Sequence, residues 1–479
     1  MLKNQIFAGC VGLMLLIANL SGSGFMNLSK STALISGTGF VIMIWALWRL
    51  RLGLPNRSAY FALLVFCIGV VVMLAQLIPL PINVWSSLPG RSFLSKDFVD
   101  AGVSAQSLPF SLSPYATKQD ILFLLPAFAG FLAVASLPTQ NWRVIIWTLV
   151  GLAMASAILG LVQRFQGSGG AFNFFHRENP VPGSAFFSNR NNLGSLLYCT
   201  VPLAAALIFP NFNSRTLLAK LLWAILFVGI LFVTIAGVGS TGSRMGTLLL
   251  FVAMLSLPVL FFSSRNTVSS RSMRPSIYSV VGIFVAVVAF AQLSLTALQR
   301  FVSLDAASDY RGTMFDVSLK TLKAFFPAGS GFGSFVPAYQ LFETPSLVRE
   351  VYANHAHNDW IELILEGGLP MAFVLVCFVL WFLNRGYFVW RKPGADLMAK
   401  AAWVSAGLLL IHSGVEFPLR IQTLAILFGI CCGMMVANAH RSQSRTSQPR
   451  TKRAVITDTE PVQFKPRPGG FSRKVGLDA

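Results

Sequence analysis

Twelve stretches of the chain are apolar for long enough to predict membrane-crossing helices, since about 20 residues rising 1.5 Å each cross about 30 Å of hydrocarbon. They run approximately 4–20, 33–48, 59–79, 121–137, 144–163, 192–209, 218–236, 246–263, 277–297, 369–384, 401–418 and 421–438. The polar stretches between them are short, apart from residues 80–120 and 299–368. The first run has Lys3 before it and small residues after it, as a cleaved export signal would. Its removal would leave eleven spans and put the chain ends on opposite sides, so it is read as an anchor. The pattern predicts an all-α polytopic membrane protein of about 12 transmembrane helices over residues 1–438, with long outer loops at 80–120 and 299–368. From 439 to 479 the chain turns to Ser, Arg, Pro and Thr with few apolar residues, which predicts a disordered basic tail. Neither a repeat of 20 to 50 residues nor a symmetry between halves is present.

Composition agrees with the bilayer: 54% of the 479 residues are hydrophobic and 11% charged, against about 25% charged in soluble proteins. The net charge of +20 would suggest nucleic acid if it lay on a water-exposed face. It does not. With the amino terminus inside, the inner segments hold 23 of the 37 basic residues and four of the 17 acids, leaving +19 inside and +1 outside. Retention of Lys and Arg on the cytoplasmic side accounts for that asymmetry, supports an even number of spans with both termini cytoplasmic, and removes nucleic acid as a partner. The basic tail can also meet anionic membrane lipid. The six cysteines all fall inside apolar runs without CxxC spacing and read as small buried hydrophobes.

No Asp, Glu or Lys lies deep within an expected span, and His412 is the one well-embedded titratable group. Ion-coupled carriers commonly keep ionisable groups near the midplane, so attention moves to the outer face. Arg164, Arg177, Arg190, Arg244, Arg311 and Arg420 lie there, at span ends and in loops. A single arginine at a membrane border ordinarily snorkels. Several on the disfavoured side suggest an anionic ligand, because a guanidinium offers a planar fork matched to phosphate oxygens. Phosphate at an outer membrane surface points to lipid-linked pyrophosphates.

The second outer loop ends in Ala353-Asn-His-Ala-His-Asn-Asp-Trp-Ile-Glu-Leu-Ile-Leu-Glu-Gly-Gly368. From Trp360 the apolar spacing predicts a helix leading into the tenth span, with Gly367 and Gly368 as a break. His355, His357, Asn358 and Asp359 then sit at its amino-terminal end, where the partial positive charge favours an anion and a neutral histidine, the form a general base requires. Three readings of the histidine pair stand side by side: a metal site completed by Asp359 or Glu362, local structural bonding, and catalysis. Gly237-Val-Gly239-Ser-Thr-Gly242 fits GxGxxG but follows an apolar helix without a βαβ unit, so it is no dinucleotide site. Gly329-Ser-Gly331-Phe-Gly333 predicts a tight turn in the outer loop. Without a Walker A sequence, and outside the cytoplasm, any bond formed must draw on a preactivated donor.

These residues resemble the O-antigen ligase and polymerase family of bacterial inner-membrane glycosyltransferases. The likeness rests on Phe187-Ser-Asn-Arg-Asn-Asn-Leu-Gly194, Thr241-Gly-Ser-Arg-Met-Gly246, Arg311 through Gly333, and Ala356 to Gly368, a region of about 185–370, with Glu416-Phe-Pro-Leu-Arg420 resembling the family's last outer hairpin. The resemblance implies a GT-C-like helical fold with the long periplasmic loop between helices 9 and 10 near the active site. It further implies an undecaprenyl-pyrophosphate-linked glycan donor, a lipid A core or growing glycan acceptor, no cofactor and a metal-independent inverting transfer in surface polysaccharide biosynthesis. His357, Arg311 and Arg244 fall where the family has its catalytic histidine and arginines. Arg190, Arg420, His355 and Asn358 are expected to bind substrate, Arg190 and Arg420 more from the outer-face argument than from a motif. Met245 departs from the glycine that relatives often carry after the arginine. The competing class is a multispan transporter or flippase of lipid-linked glycans, which shares the arginines but needs neither the long loop nor the histidine pair.

Overall fold

The computed structural model describes residues 2–21, 28–51, 53–102, 106–176, 181–265, 306–348, 353–391 and 395–446. The long helices are α1 (Leu2–Ser21), α2 (Leu28–Arg49), α3 (Arg57–Ala75), α6 (Pro114–Ser136), α7 (Trp142–Gln166), α8 (Arg190–Ile208), α9 (Leu217–Thr241), α10 (Arg244–Arg265), α11 (Ala306–Phe325), α13 (Asp359–Arg391), α14 (Leu397–His412) and α15 (Gln422–Thr446). Shorter ones are α4 (Ile82–Ser87), α5 (Ser92–Asp100) and α12 (Phe335–Gln340). Among the described residues nine helices are long and apolar enough to cross a membrane, and α14 and the apolar part of α15 are shorter. The protein is thus a polytopic helical membrane protein. The expected span at 277–297 and Arg177 lie outside the described residues. Helix α15 runs to Thr446, and 447–479 also lie outside them.

Local chemistry sets several helix ends. The Asn56 side chain accepts from Ala59 N to start α3, Thr216 accepts from Ala219 N to start α9, and Asp396 accepts from Met398 N to start α14. Gly242, at φ 62°, ends α9 in the left-handed conformation that glycine tolerates. Helix α8 is the centre of the bundle, with every residue from Asn191 to Ile208 buried and α7, α9, α10 and α14 packed around it. It carries small residues (Gly194, Ser195, Ala204, Ala205, Ala206) that allow close approach. By contrast α9 turns Leu218, Leu222, Ile225 and Phe232 outward. On α1, Phe7, Val11, Met14 and Leu15 are buried and Asn19 donates to Ser156 Oγ on α7 at 3.2 Å.

The two loops expected on the outer side are more structured than their polarity suggested, and the first adds strand to the expected all-α fold. Within 80–120, β1 (Pro79–Pro81) pairs antiparallel with β2 (Ser107–Pro109), Leu80 opposite Leu108, and α4 and α5 lie between them. Residues 299–368 contain α11, α12 and the start of α13. The two loops close on the glycine turn at 329–333. Leu112 N donates to Ser330 O, Thr117 Oγ1 to Phe332 O, and the fully buried Arg91 to Phe110 O at 2.5 Å and Gly329 O at 3.4 Å. The turn also meets the break in α13: Ser330 N and Gly331 N donate to Leu365 O and Glu366 O. Gly368 has φ 61°, and a Cβ there would run into the carbonyl oxygens of Pro327 and Ala328. The expected break is therefore a glycine-dependent kink that separates a short amino-terminal arm of α13 from its membrane-spanning part.

Candidate functional site

The amino-terminal arm of α13 begins where the sequence expected. Asn358 Oδ1 accepts from Ile361 N at 3.1 Å as the helix cap, and Asn358 Nδ2 donates to Gly414 O at 2.8 Å. Asp359 N donates to Ser413 O, while Asp359 Oδ2 accepts from Ser413 Oγ at 2.8 Å and Leu419 N at 3.3 Å. The segment between α14 and α15 is thereby bound to the start of α13. His357 takes a left-handed φ of 49°, which turns its ring towards that segment.

One carboxylate gathers most of the expected residues. Glu416, 1% exposed, meets Arg311 Nη2 through Oε1 at 2.5 Å and His357 Nδ1 through Oε2 at 3.1 Å. Asn189 Nδ2 donates to Oε2 at 3.2 Å, and Asn191 Nδ2 donates to Oε1. Both asparagines flank Arg190, the exposed first residue of α8. Burial by itself would raise the Glu416 carboxyl, but the hydrogen bond from His357 and the charges of His357 and Arg311 outweigh it and hold it below the usual range. A carboxylate only accepts, so in the neutral His357 ring Nδ1 carries the proton and Nε2 keeps its lone pair. Arg311 is half-exposed, at 49% of its side chain.

A second centre forms around Arg420. Its guanidinium lies 2.7 Å from Glu366 Oε2 and 3.1 Å from Glu362 Oε1, and 3.9 Å from both Asp120 Oδ2 and Asp359 Oδ1. Burial would lower its pKa, but four carboxylates raise it well above the ordinary arginine value. His355 Nδ1 meets Glu362 Oε1 at 2.8 Å, and Glu362 Oε2 accepts from Ala356 N. Phe417 lies between the centres, its ring centroid 4.5 Å from that of His355 and 5.0 Å from that of His357. Among the described residues no group of three His, Cys, Asp or Glu side chains is placed to hold a metal ion.

The structure thus brings His357, Arg311 and the Arg190 turn to one carboxylate, and places Arg420 and His355 together beside it. Arg244 is half-buried at the start of α10, the helix packed on α8, and Arg164 is exposed at the end of α7 with Nη1 3.4 Å from Val181 O. His412, buried, has Nδ1 2.9 Å from both Ser195 Oγ and Tyr198 OH. Sequence reasoning quoted Glu416, Asn189, Asn191 and Glu366 within motifs without singling them out, and it missed Asp120. The available signal was an acid placed between two apolar runs on the arginine-bearing face.

Residues 229–377 match the O-antigen ligase family. The matched segment runs from within α9 into α13 and includes Arg244, Arg311, His355, His357 and Asn358, while Arg190, Glu416 and Arg420 lie outside it. No curated protein matches the chain.

Proposed function

We propose, for a polytopic membrane protein that carries an O-antigen ligase domain, an inverting, metal-independent glycosyltransferase that uses an undecaprenyl-pyrophosphate-linked glycan. In this reading twelve spans leave both termini cytoplasmic, and the site faces the periplasm of the bacterial inner membrane. The observation that carries it is the shared carboxylate: Glu416 holds a histidine through Nδ1 and an arginine through Nη2.

The chemistry follows from those atoms. His357 Nε2 takes the proton of an acceptor hydroxyl, whose oxygen attacks the anomeric carbon of the donor sugar. The bond from that carbon to the pyrophosphate oxygen breaks, and the leaving group departs with the electron pair. Arg311 and Arg244, with Arg190 at the same end of the bundle, balance the charge that grows on the pyrophosphate. Fixed cations of this kind need no reorganisation as charge develops. Attack from the face opposite the leaving group inverts the anomeric centre once per transfer. Purified protein in detergent, given lipid-linked donor and glycan acceptor, should form the glycosidic bond without a membrane gradient. Movement of the lipid-linked glycan across vesicles with no new bond would select a carrier instead.

A further inference from the structure

Between α3, α6, α13 and α15 lies a cavity of about 410 Å³, within the range of about 300–1,000 Å³ of small-molecule sites. Its walls are apolar, with Phe66, Val70, Phe128, Met371, Phe378 and Phe428 among them, and its polar end is formed by Asp120, His355, Asp359 and Arg420. Two of its walls, α3 and α13, turn Leu64, Val71, Phe373 and Val376 to the outside, so the space adjoins the bilayer. An apolar chamber with one polar end fits an amphiphile.

The polar end says which head group. Asp359 is 2% exposed, and its Oδ1 has no hydrogen-bond partner. Asp120 Oδ2 is likewise buried without one. Each stands 3.9 Å from the nearest Arg420 nitrogen, beyond hydrogen-bond reach, and Arg420 is already held by Glu362 and Glu366. Buried acceptors without donors are expensive, so a ligand that donates here gains what the protein leaves unmet. A phosphate or pyrophosphate head would bring negative charge to a place where four acidic side chains already surround one guanidinium. An ammonium head donates but would lie beside Arg420. Hydroxyls both donate and accept, and so suit a rim where carboxylate oxygens alternate with His355 and Arg420.

We propose that this cavity binds a lipid-borne glycan through an uncharged, hydroxyl-bearing head sugar, with hydroxyls on Asp359 Oδ1 and Asp120 Oδ2 and the chain along the apolar wall. The site is distinct from the Glu416 centre but borders it, since His355 and His357 pack against the same Phe417 ring. If the transferase reading holds, on which this part rests, the bound lipid is the acceptor, with its sugar beside the His357 base, and the pyrophosphate donor is held on the other side by Arg311.

Full-length protein in phosphatidylcholine nanodiscs, photolabelled with a diazirine-bearing dodecyl β-glucoside, tests the site. Label is expected on α3 and on α13 near Met371, and dodecyl glucoside should compete at least about tenfold better than dodecyl phosphate or dodecylamine. Asp120→Ala should weaken that competition by about tenfold. Gly69→Leu, at a position where a Cβ meets only Val374 at 3.8 Å and Met371 at 3.9 Å, should fill the chamber and abolish labelling with the thermal midpoint retained. Competition by the phosphate or the amine equal to that of the glucoside overturns the proposal, as does unchanged labelling of both variants. Binding needs no turnover: no labelling of a wild-type protein that forms glycosidic bonds sinks this site alone, and labelling of a wild-type protein that forms none sinks the transferase reading alone.

Discussion

Glu416 Oε2 lies 3.1 Å from His357 Nδ1, across 59 residues of sequence. The contact fixes which ring nitrogen carries the proton, and the same carboxylate holds Arg311. Glu416→Gln replaces one accepting oxygen with a donor amide among four donors, so the ring and the guanidinium lose their common anchor. Transfer should fall on the order of 100-fold or more, the scale of a lost general base, with insertion kept and the thermal midpoint lowered, because a buried carboxylate that meets four donors is lost. Near-normal turnover of Glu416→Gln in the detergent assay would remove this carboxylate from the mechanism.

His357→Ala should leave a folded, inserted protein whose turnover is reduced on the order of 10² to 10⁴-fold, and Arg311→Lys should also be damaging, because a point charge loses the fork. Measured side by side, the histidine variant should lose kcat with little change in KM for the donor, and the lysine variant should change both. An Arg311→Lys enzyme that matches the wild type would reduce that arginine to border snorkelling.

Arg311 and Arg420 make opposite predictions for stability. Arg420 is enclosed by four carboxylates, and removing one partner of a buried ion network costs about 3–5 kcal/mol, so Arg420→Ala should lower the thermal midpoint sharply. Arg311 is half-exposed, and such pairs contribute about 0–1 kcal/mol. Arg311→Ala should leave the midpoint close to wild type; a large drop there and none for Arg420→Ala would reverse the assignment.

The Glu416 carboxyl is held below its usual range, so its contribution to stability has a definite sign with pH. It is complete above the ordinary glutamate value of about 4.3 and is lost as the pH falls through the lowered native value. Thermal midpoints recorded from pH 7 downwards should fall below about pH 4.3, and less steeply in Glu416→Gln. Parallel curves for the two proteins would show that another group governs the acid limb.

Gly368→Ala should break the relation between the glycine turn and α13. The native φ of 61° and the nearby carbonyls of Pro327 and Ala328 impose strain of about 1–3 kcal/mol on a residue with a Cβ. The variant should express at a reduced level and melt earlier, and a wild-type midpoint would mean that the kink forms without glycine.

The sequence by itself determined a great deal here, and for one reason: a bilayer imposes its constraints locally. Every backbone group in hydrocarbon must be paired within its own helix, so apolar length alone marked eleven of the apolar helices now described, and the apolar spacing from Trp360 and the pair Gly367-Gly368 marked the start and the kink of α13. Hydropathy could not say which helix lies in the middle, because lipid is as apolar as leucine; only packing shows that α8 is enclosed and α9 faces outward. The same limit applies to the site. The histidine pair and the arginines were legible as residue types on one face, but Glu416 acquires its meaning from Asn189, Asn191, Arg311 and His357, which the chain brings from three separate segments. Likewise Arg420 was read as a cation facing a ligand until the fold surrounded it with Asp120, Asp359, Glu362 and Glu366. Helix formation is decided between neighbours, whereas the balance of buried charge is decided by residues far apart in sequence, and only the tertiary structure brings those together.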